Sequence, residues 1–512
     1  MLHDYIATAL VSQRRQALEA SAEHRGHAVE ARAGRDRRPA QRSGAAAVFA
    51  ATAAGGLLVS LDVSIANALL PAISADFGGT GRAALSWVIT GYAIVFAAAL
   101  VPAGRVADRV GRRRTYVGGL LVFAAGSLVC GVAPGLGVLL LGRVVQGLGA
   151  AAASPASLGL LLATVDARHR SVQAARWTGA AAVGVCLGPL LGGALTSLGD
   201  WRWAFLVNVP LVAVVAIAAR RMLPETPRHP GRVLPDPLGA ALFAAAAATA
   251  SLALAQSATW GALSVRSVAV LATAALLAWA FVRRSGRVAA PLLQLTLLRN
   301  RRVAAAAVVT GCYAAAFFGF LLTFMIFAVG QWQLSLVGAG ACALVPGSVV
   351  VLLTLHVGHL AERVGHRLTL AVGAGLMAAA LLACAALLGS DHLQARWLVI
   401  GSVLGLGIGL CYPVLAGAAV HGLDPADLAA GSALNQCARQ LGAAVGIAAA
   451  VGVLGAAPSP ELARLHAAWV LAAAFCLAAV VAAALIPPIA RALPPVVAPR
   501  SAAPTPSLRR AA

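Results

Sequence analysis

The sequence predicts an all-α polytopic membrane protein with fourteen transmembrane helices arranged as six, two and six. Of its 512 residues, 60% are hydrophobic and 11% are charged, and the mean hydropathy is +0.85. A soluble chain would carry about 25% charged residues, so the bilayer is the expected solvent. The apolar residues form fourteen runs, each close to the length of about 20 residues that a helix needs to cross the hydrocarbon core.

Short connections separate the fourteen predicted spans. These spans cover residues 46–70, 85–104, 115–133, 136–160, 176–197, 203–221, 237–256, 265–282, 303–327, 337–357, 368–389, 397–419, 429–454 and 466–488. An even number of crossings places both termini on one side, and cytoplasmic loops carry the excess of cations. Twenty arginines fall in the inside loops and five in the outside loops. Both termini are therefore expected in the cytoplasm, and the composition favours the plasma membrane of a bacterium.

The net charge of +22 does not indicate a nucleic-acid-binding protein, because the cations form short clusters between apolar runs. The chain contains no lysine, which excludes a Walker A loop and therefore a pump with its own ATPase. The eight cysteines lie in apolar runs without C-x-x-C spacing, so no metal and no other cofactor is predicted. The expected partners are the lipid bilayer, protons and a small substrate, and the expected oligomeric state is a monomer.

The two ends of the chain differ from its apolar middle. Residues 1–45 hold eight arginines and little periodicity, which predicts a disordered basic cytoplasmic arm. An over-extended start site or a short amphipathic helix over residues 5–19 are the alternatives. Residues 491–512 are rich in Ala, Pro and Arg, which predicts a disordered cytoplasmic tail.

One ten-residue pattern occurs twice. Residues 104–113 (GRVADRVGRR) follow the second span and residues 358–367 (GHLAERVGHR) follow the tenth, with six of the ten positions identical. Such internal symmetry is typical of secondary transporters. It predicts an N-terminal six-helix bundle over residues 46–222, a two-helix insert over 223–302 and a C-terminal six-helix bundle over 303–490.

The acid and the glycines of this pattern favour a conformational latch over an anchor that only holds a loop in the cytoplasm. Glycines at both ends of a short loop would allow a tight turn, and the acid could pair with the arginines or with helix ends. The predicted latch residues are Gly104, Asp108, Arg109, Gly111, Arg112, Arg113, Glu362 and Arg363.

Four ordered motifs resemble those of the major facilitator superfamily, in particular its 14-spanner drug:proton antiporters. Residues 104–113 resemble the G-x-L-a-D-r-x-G-r-r signature, with valine in place of leucine. Residues 61–71 (LDVSIANALLP) are similar to L-D-x-T-I-V-N-V-A-L-P, with Ser64 in place of threonine. Residues 143–149 (RVVQGLG) resemble the R-x-x-Q-G-x-G motif, and residues 184–193 (GVCLGPLLGG) resemble the antiporter motif.

The resemblance covers residues 46–490 and includes residues 201–210, which fit W-R-W-x-F-x-x-N-x-P. It implies the major facilitator fold and the exchange of a compound for protons. It assigns proton coupling to residues 143–149, and it implies antiport rather than symport through residues 184–193.

Asp62, Arg143 and Arg439 are charges at membrane depth, where charges are costly and mark candidate functional sites. Asp62 lies about nine residues from the outer end of the first span and Arg143 about seven from the start of the fourth, so both are expected at a similar depth. A carboxylate beside an arginine in a cavity that opens alternately can gain and lose a proton. We predict Asp62 as the proton carrier, Arg143 as the cation that tunes it and Gln146 as a polar neighbour. The alternative is a static ion pair that orients two helices.

The fifth span combines small residues with a proline. They are Gly184, Gly188, Pro189, Gly192 and Gly193. Small residues permit close helix packing in lipid, and the proline bends the segment. Close packing alone would explain the glycines, whereas the resemblance adds that this helix seals one side of the cavity in one conformation.

The ninth span carries an aromatic stripe at helical spacing. The stripe includes Tyr313, Phe317, Phe320 and Phe324. It could line a substrate cavity, because this span is pseudo-equivalent to the first, or it could contact lipid or a helix seam. Asn435 and Arg439, one turn apart in the thirteenth span, are further cavity candidates, and Arg439 could equally cap backbone carbonyls. With no second acid deep in a span, the predicted substrate is small, hydrophobic and neutral or monocationic.

Together these features predict a proton-coupled secondary exporter of hydrophobic drugs or other toxic organic compounds that works by alternating access. An exporter dedicated to one self-made metabolite or antibiotic is the alternative, and a proton-coupled importer fits the fifth span less well. An enzyme is not predicted. The closest cluster of reactive side chains overlaps the second copy of the repeat and comprises His356, His359, Glu362 and His366.

Overall fold

The computed structural model describes residues 41–487 except for 79, 167–169, 226–232, 262, 355, 390–393, 422, 424–426 and 456–459. Fourteen of the described helices are long and apolar enough to cross a membrane, which confirms the predicted number. The predicted tail over 491–512 lies outside the described residues, as does the predicted arm up to residue 40. The first described helix begins at Gln41, five residues before the predicted start of the first span at residue 46.

Numbered in chain order, the spanning helices are α1 (Gln41–Asp76), α2 (Arg82–Val110), α3 (Arg112–Gly131), α4 (Leu136–Ala163), α5 (Arg170–Ser197), α6 (Trp203–Met222), α7 (Pro237–Ala255), α8 (Val265–Ser285), α9 (Arg301–Gly330), α10 (Leu336–Thr354), α11 (His366–Leu387), α12 (Gln394–Val420), α13 (Leu428–Leu454) and α14 (Leu462–Ala484). In α6 two helical segments meet at Val207.

The helices pack as two groups of six joined at two seams. Within the groups, α1 lies against α5, α3 against α4, α9 against α13, and α11 against α12 and α14. Between the groups, α5 packs on α10 and α2 packs on α13, while α7 of the two-helix insert covers the second seam and α8 packs on α7. The residue boundaries of the three bodies stay a prediction.

Glycines bring the backbones of α5 and α10 into contact. A side-chain carbon added at Gly193 would collide with the carbonyl of Leu336, and one added at Gly340 would collide with that of Pro189. Further along the same two helices, Gly347 faces the side chain of Cys186. Small residues give close approach where lipid offers no hydrophobic driving force between helices.

The repeated pattern does not form the short loop expected from the sequence. Helix α2 continues through the pattern to Val110, and only Gly111 separates it from α3. In the second copy, the short helix Val357–Val364 meets α11 at Gly365. Gly111 and Gly365 have φ angles of 113° and 97° with extended ψ angles of 135° and 142°. Both copies therefore break the helix at a glycine with the same backbone conformation. Any other residue would be strained in this conformation.

Candidate transport site

Asp62 of α1 and Arg143 of α4 form a fully buried ion pair. The Arg143 Nη1 atom donates to Asp62 Oδ2 at 2.5 Å, and the side chains are 0% and 1% exposed. Gln146, one turn after Arg143, donates from Nε2 to Asp62 Oδ1 at 3.0 Å and accepts at Oε1 from Arg143 Nη1 at 2.8 Å. The expected similar depth of Asp62 and Arg143 thus corresponds to direct contact, while their role in proton coupling stays a prediction.

Two further polar side chains complete this cluster. Asn208 of α6 donates from Nδ2 to Asp62 Oδ1 at 2.9 Å, and Ser127 of α3 accepts from Gln146 Nε2 at 2.7 Å. Both are 0% exposed. Neither residue is among those predicted for the site from the sequence. Asn208 could have been found as an amide inside a predicted span, whereas a single serine in an apolar helix carries no such signal.

Arg143 has additional partners on α2. Its Nε atom donates to the Val88 carbonyl at 2.7 Å, and its guanidinium carbon lies 4.3 Å from the centre of the Tyr92 ring. Backbone and ring contacts therefore hold the cation in addition to its ion pair with Asp62.

The hydrogen bonds to Asp62 fit its ionised form. Arg143, Gln146 and Asn208 each present an N–H group to its two oxygens. These donors use three of the roughly four lone-pair positions that a carboxylate offers. The Asp62 carboxylate therefore joins α1 to both α4 and α6.

A hydrogen bond connects the neighbourhood of Asp62 to α5. Proline at position 189 has no N–H group, so the helix cannot supply its usual donor to the Val185 carbonyl. The hydroxyl of Ser64 in α1 donates to this carbonyl at 2.7 Å instead. Gly188 makes the approach possible, because an added side chain there would collide with Ser64. Ser64, two residues after Asp62, thus bonds to the carbonyl that Pro189 leaves without its helical donor.

The other glycines of the fifth span serve different contacts. Gly184 faces the Leu57 carbonyl of α1 and Gly192 faces Ile65 at an ordinary distance, whereas Gly193 faces α10. The close packing expected from the sequence is therefore present on two sides of α5.

A largely apolar cavity of about 620 Å³, counting its open side, lies between α5, α9, α10 and α12. It is lined by Ala182, Val185, Cys186, Pro189, Tyr313, Phe317, Phe320, Leu321, Phe324, Ala343, Pro346, Gly347, Val350, Trp397, Leu404, Ile408 and Tyr412. All four residues of the predicted aromatic stripe line it. Phe324 stacks on Trp397 with ring centroids 4.2 Å apart, which gives the cavity a flat aromatic wall.

Asn435 and Arg439 do not line this cavity. Asn435 accepts at Oδ1 from the Thr310 hydroxyl at 2.6 Å, which joins α13 to α9. Arg439 donates from Nη1 to the hydroxyl of Tyr412 at 2.9 Å, and Tyr412 is a lining residue. Arg439 therefore lies just behind the cavity wall and contacts a side chain there.

The first copy of the latch is tied to its surroundings through arginine. Arg112 pairs with Asp108 at 3.3 Å and donates from Nη1 to the Gly159 carbonyl of α4 at 2.8 Å. Arg113 lies 3.5 Å from Glu225, a partner after α6 that the sequence analysis missed, and donates to the Leu223 carbonyl at 3.0 Å.

Four other predicted latch residues have different surroundings. Gly104 lies within a helix and faces open space, so the prediction of a tight turn at this residue is wrong. Glu362 and Arg363 of the second copy are exposed. Arg109 lies in the last turn of α2, where a cation interacts favourably with the helix end.

A second cavity of about 910 Å³, counting its open side, lies between α1, α2, α9, α13 and α14, near the end of α1 and the start of α2. Arg82 lines it and donates from Nη1 to the Gly455 carbonyl at 3.1 Å, which joins α2 to the end of α13. The two helix groups thus touch beside this cavity.

The sequence matches the Major Facilitator Superfamily over residues 52–447. The chain belongs to the major facilitator superfamily. It is 36% identical over 407 residues to the lincomycin resistance protein of Streptomyces lincolnensis, covering 78% of this chain and 82% of that protein. It is 31% identical over 408 residues to the multidrug resistance protein Stp of Mycobacterium tuberculosis, covering 79% and 75%.

A solved structure of the same superfamily has the same overall fold. The human organic anion transporter MFSD10 superimposes with a TM-score of 0.60 at 15% identity, covering 86% of this chain and 99% of that one. This major facilitator protein is therefore a multi-pass membrane protein of the fold that the resemblance implied. Among its described residues, no group of three His, Cys, Asp or Glu side chains is arranged to hold a metal ion.

Proposed function

We propose that this major facilitator protein exports hydrophobic drugs or other toxic organic compounds from a bacterial cell in exchange for protons. Its location is the plasma membrane, with both termini in the cytoplasm, and it acts as a monomeric carrier without enzymatic chemistry. The observation that carries the proposal is the buried Asp62, whose ionised carboxylate is held by three donors in a helix bundle that also contains an apolar, aromatic cavity. The names of the two relatives support export of antibiotics.

Protonation of Asp62 is the step that releases α1 from α4. A neutral carboxyl group attracts the Arg143 guanidinium much less strongly, and it has one lone pair fewer for the donors that surround it. Movement of α1 is passed to α5 through the hydrogen bond between Ser64 and Val185, a residue that lines the cavity. A proton and a substrate then bias the same equilibrium between inward-open and outward-open forms in opposite directions.

The two six-helix bodies, over 46–222 and 303–490, move against each other about the α5–α10 and α2–α13 seams. The glycine contacts of α5 seal one side of the cavity in one conformation. Arg112, Arg113 and Asp108 hold the inner ends of α2 and α3 as a latch that is remade in each cycle. The aromatic residues of α9 bind the substrate through their ring faces.

The test is substrate-driven proton movement in inside-out vesicles. Compounds from a panel of dyes and antibiotics are added to vesicles that carry an acid interior, and the escape of protons is followed with a pH-sensitive dye. The native protein is expected to respond to several compounds and Asp62→Asn to none. Asp200→Asn is the matched control, because Asp200 is a partly exposed carboxylate that pairs with Arg202 away from the cluster.

The outcomes separate the possibilities. An equal response from the native protein and Asp62→Asn would show that Asp62 does not carry the proton. A response to one compound alone would favour a dedicated exporter, an alternative supported by the single antibiotic in the name of the Streptomyces lincolnensis relative.

A further inference from the structure

We propose that the cavity holds its substrate by a carboxylate or a similar anionic acceptor, bound at a cluster of hydrogen-bond donors formed by Tyr313, Tyr412 and Arg439. The proposal rests on the exporter function above and names the chemical class of the substrate: an apolar, preferably aromatic body with one anionic group. It differs from the neutral or monocationic substrate that the sequence predicts.

The hydroxyl of Tyr412 is set up as a donor. It accepts a hydrogen bond from Arg439 Nη1 at 2.9 Å, while its ring lines the cavity. A phenolic oxygen that accepts from a guanidinium keeps its own hydrogen for a second partner. The contact also places the positive charge of Arg439 directly behind this hydroxyl.

Tyr313 provides a second polar group at the same place. Its ring lines the cavity, lies 6.3 Å from the Tyr412 ring between centroids, and is only 2% exposed. Its buried hydroxyl has no hydrogen-bond partner among the described residues. Buried hydroxyl groups are nearly always paired, because an unpaired one loses its hydration without compensation. A ligand oxygen in the cavity would supply the missing partner.

Arg439 makes this end of the cavity positive. Its Nε atom is also buried without a hydrogen-bond partner, and no ion pair joins it to an acid within the described part of the chain. Asp62, the acid deep in α1, is already held by Arg143 at 2.5 Å. A cation in a medium of low dielectric constant attracts an anion much more strongly than it does in water.

The remaining wall accepts a hydrocarbon body. Phe317, Phe320, Phe324 and Trp397 form most of the aromatic surface, with aliphatic side chains between them. A ligand with an aromatic body and one carboxylate would therefore place the rings on this wall and the oxygens at the tyrosine hydroxyls. A cationic group in the same position would be repelled by the positive charge of Arg439.

The experiment compares three probes with the same bicyclic body: 1-naphthoate, 1-naphthamide and 1-naphthylmethylammonium. Binding to the purified full-length protein is measured by equilibrium dialysis at pH 7, so that the result does not depend on proton transport. Naphthoate is expected to bind at least about tenfold more tightly than the ammonium probe, with the amide in between, as for a hydrogen bond to a charged group.

Variants assign this preference to the cluster. Tyr313→Phe and Tyr412→Phe keep the rings and are each expected to weaken naphthoate binding by about tenfold, while binding of the ammonium probe is unchanged. Arg439→Gln is expected to abolish the preference. Tyr116→Phe is the matched control, because Tyr116 donates to the Ala51 carbonyl at 2.7 Å, far from the cavity lining.

Three results would overturn the proposal: no binding of naphthoate, equal or tighter binding of the ammonium probe, or a preference for naphthoate that survives in all three cluster variants. Each of these is compatible with proton-driven export of another class of compound. Loss of the vesicle response in the native protein would instead count against the exporter function, whatever the binding data show.

Discussion

Replacing Ser64 with alanine tests whether its hydroxyl substitutes for the N–H group that Pro189 lacks. The change removes a hydrogen bond of 2.7 Å to the part-buried Val185 carbonyl and leaves that acceptor without the donor that a helix would provide. A buried group that loses its partner costs about 1–3 kcal/mol, which is the upper range for this part-buried carbonyl. The free energy of unfolding is therefore expected to fall by about that amount, measured by helix circular dichroism in mixed SDS and dodecylmaltoside micelles.

The same change in a Pro189→Ala background gives the decisive comparison. Alanine at position 189 restores the N–H group, so the Val185 carbonyl keeps a partner when the hydroxyl is lost. The cost of Ser64→Ala is expected to drop by at least about 1 kcal/mol, which is a coupling energy within the range for residues in contact. Additive costs in the two backgrounds, within about 0.5 kcal/mol, would refute the reasoning.

Ser157→Ala is the control for this pair of experiments. The Ser157 hydroxyl is buried too, but it donates to the Ser154 carbonyl of its own helix at 2.9 Å. That carbonyl keeps its ordinary helical donor after the change, so a loss below about 1 kcal/mol is expected.

Two further predictions concern the ends of helices. Gly111→Ala and Gly365→Ala force alanine into φ angles of 113° and 97°, so each should lower the free energy of unfolding by about 1–3 kcal/mol. Gly104 is helical and faces open space, so Gly104→Ala should be neutral or stabilising. Equal effects of all three changes would contradict this prediction. A hydrogen bond from Arg284 lowers the pKa of Asp236, the cap of α7, below its usual 3.8. The stability that this pair adds is thus present above pH 3.8 and is lost as the pH falls through the lower pKa of the folded state. The difference in the free energy of unfolding between the native protein and Asp236→Asn should therefore shrink in acid. A difference independent of pH would count against the pair.

Much of the fold follows from local sequence properties. Spans are visible as apolar runs because a backbone in lipid has to satisfy its own hydrogen bonds. The break at Gly111 was harder to predict, since nothing in the hydropathy shows that α2 continues as a helix beyond the apolar run to Val110. A helix end outside the membrane is set by backbone conformation and local contacts, such as the approach of Glu225 to Gly111.

The site was predictable where depth alone decides the contact. Asp62 and Arg143 form an ion pair because opposite charges at the same depth of a helix bundle stabilise each other there. Asn208 and Ser127 depend on the rotation of α6 and α3 about their axes, and the cavity depends on how α5 packs on α10. These are tertiary properties, which hydrophobic periodicity cannot reveal in a helix that is apolar on every side.

Among the described residues, the Asp62 cluster and the lining of the cavity have no member in common. Selection by a new toxic compound can therefore alter Phe317, Phe320 or Trp397 without touching the groups that hold Asp62. On the proposed mechanism, the groups that couple transport to protons and the groups that bind the substrate can then evolve at different rates. Single mutations in the cavity lining would change the range of exported compounds without altering the Asp62 cluster.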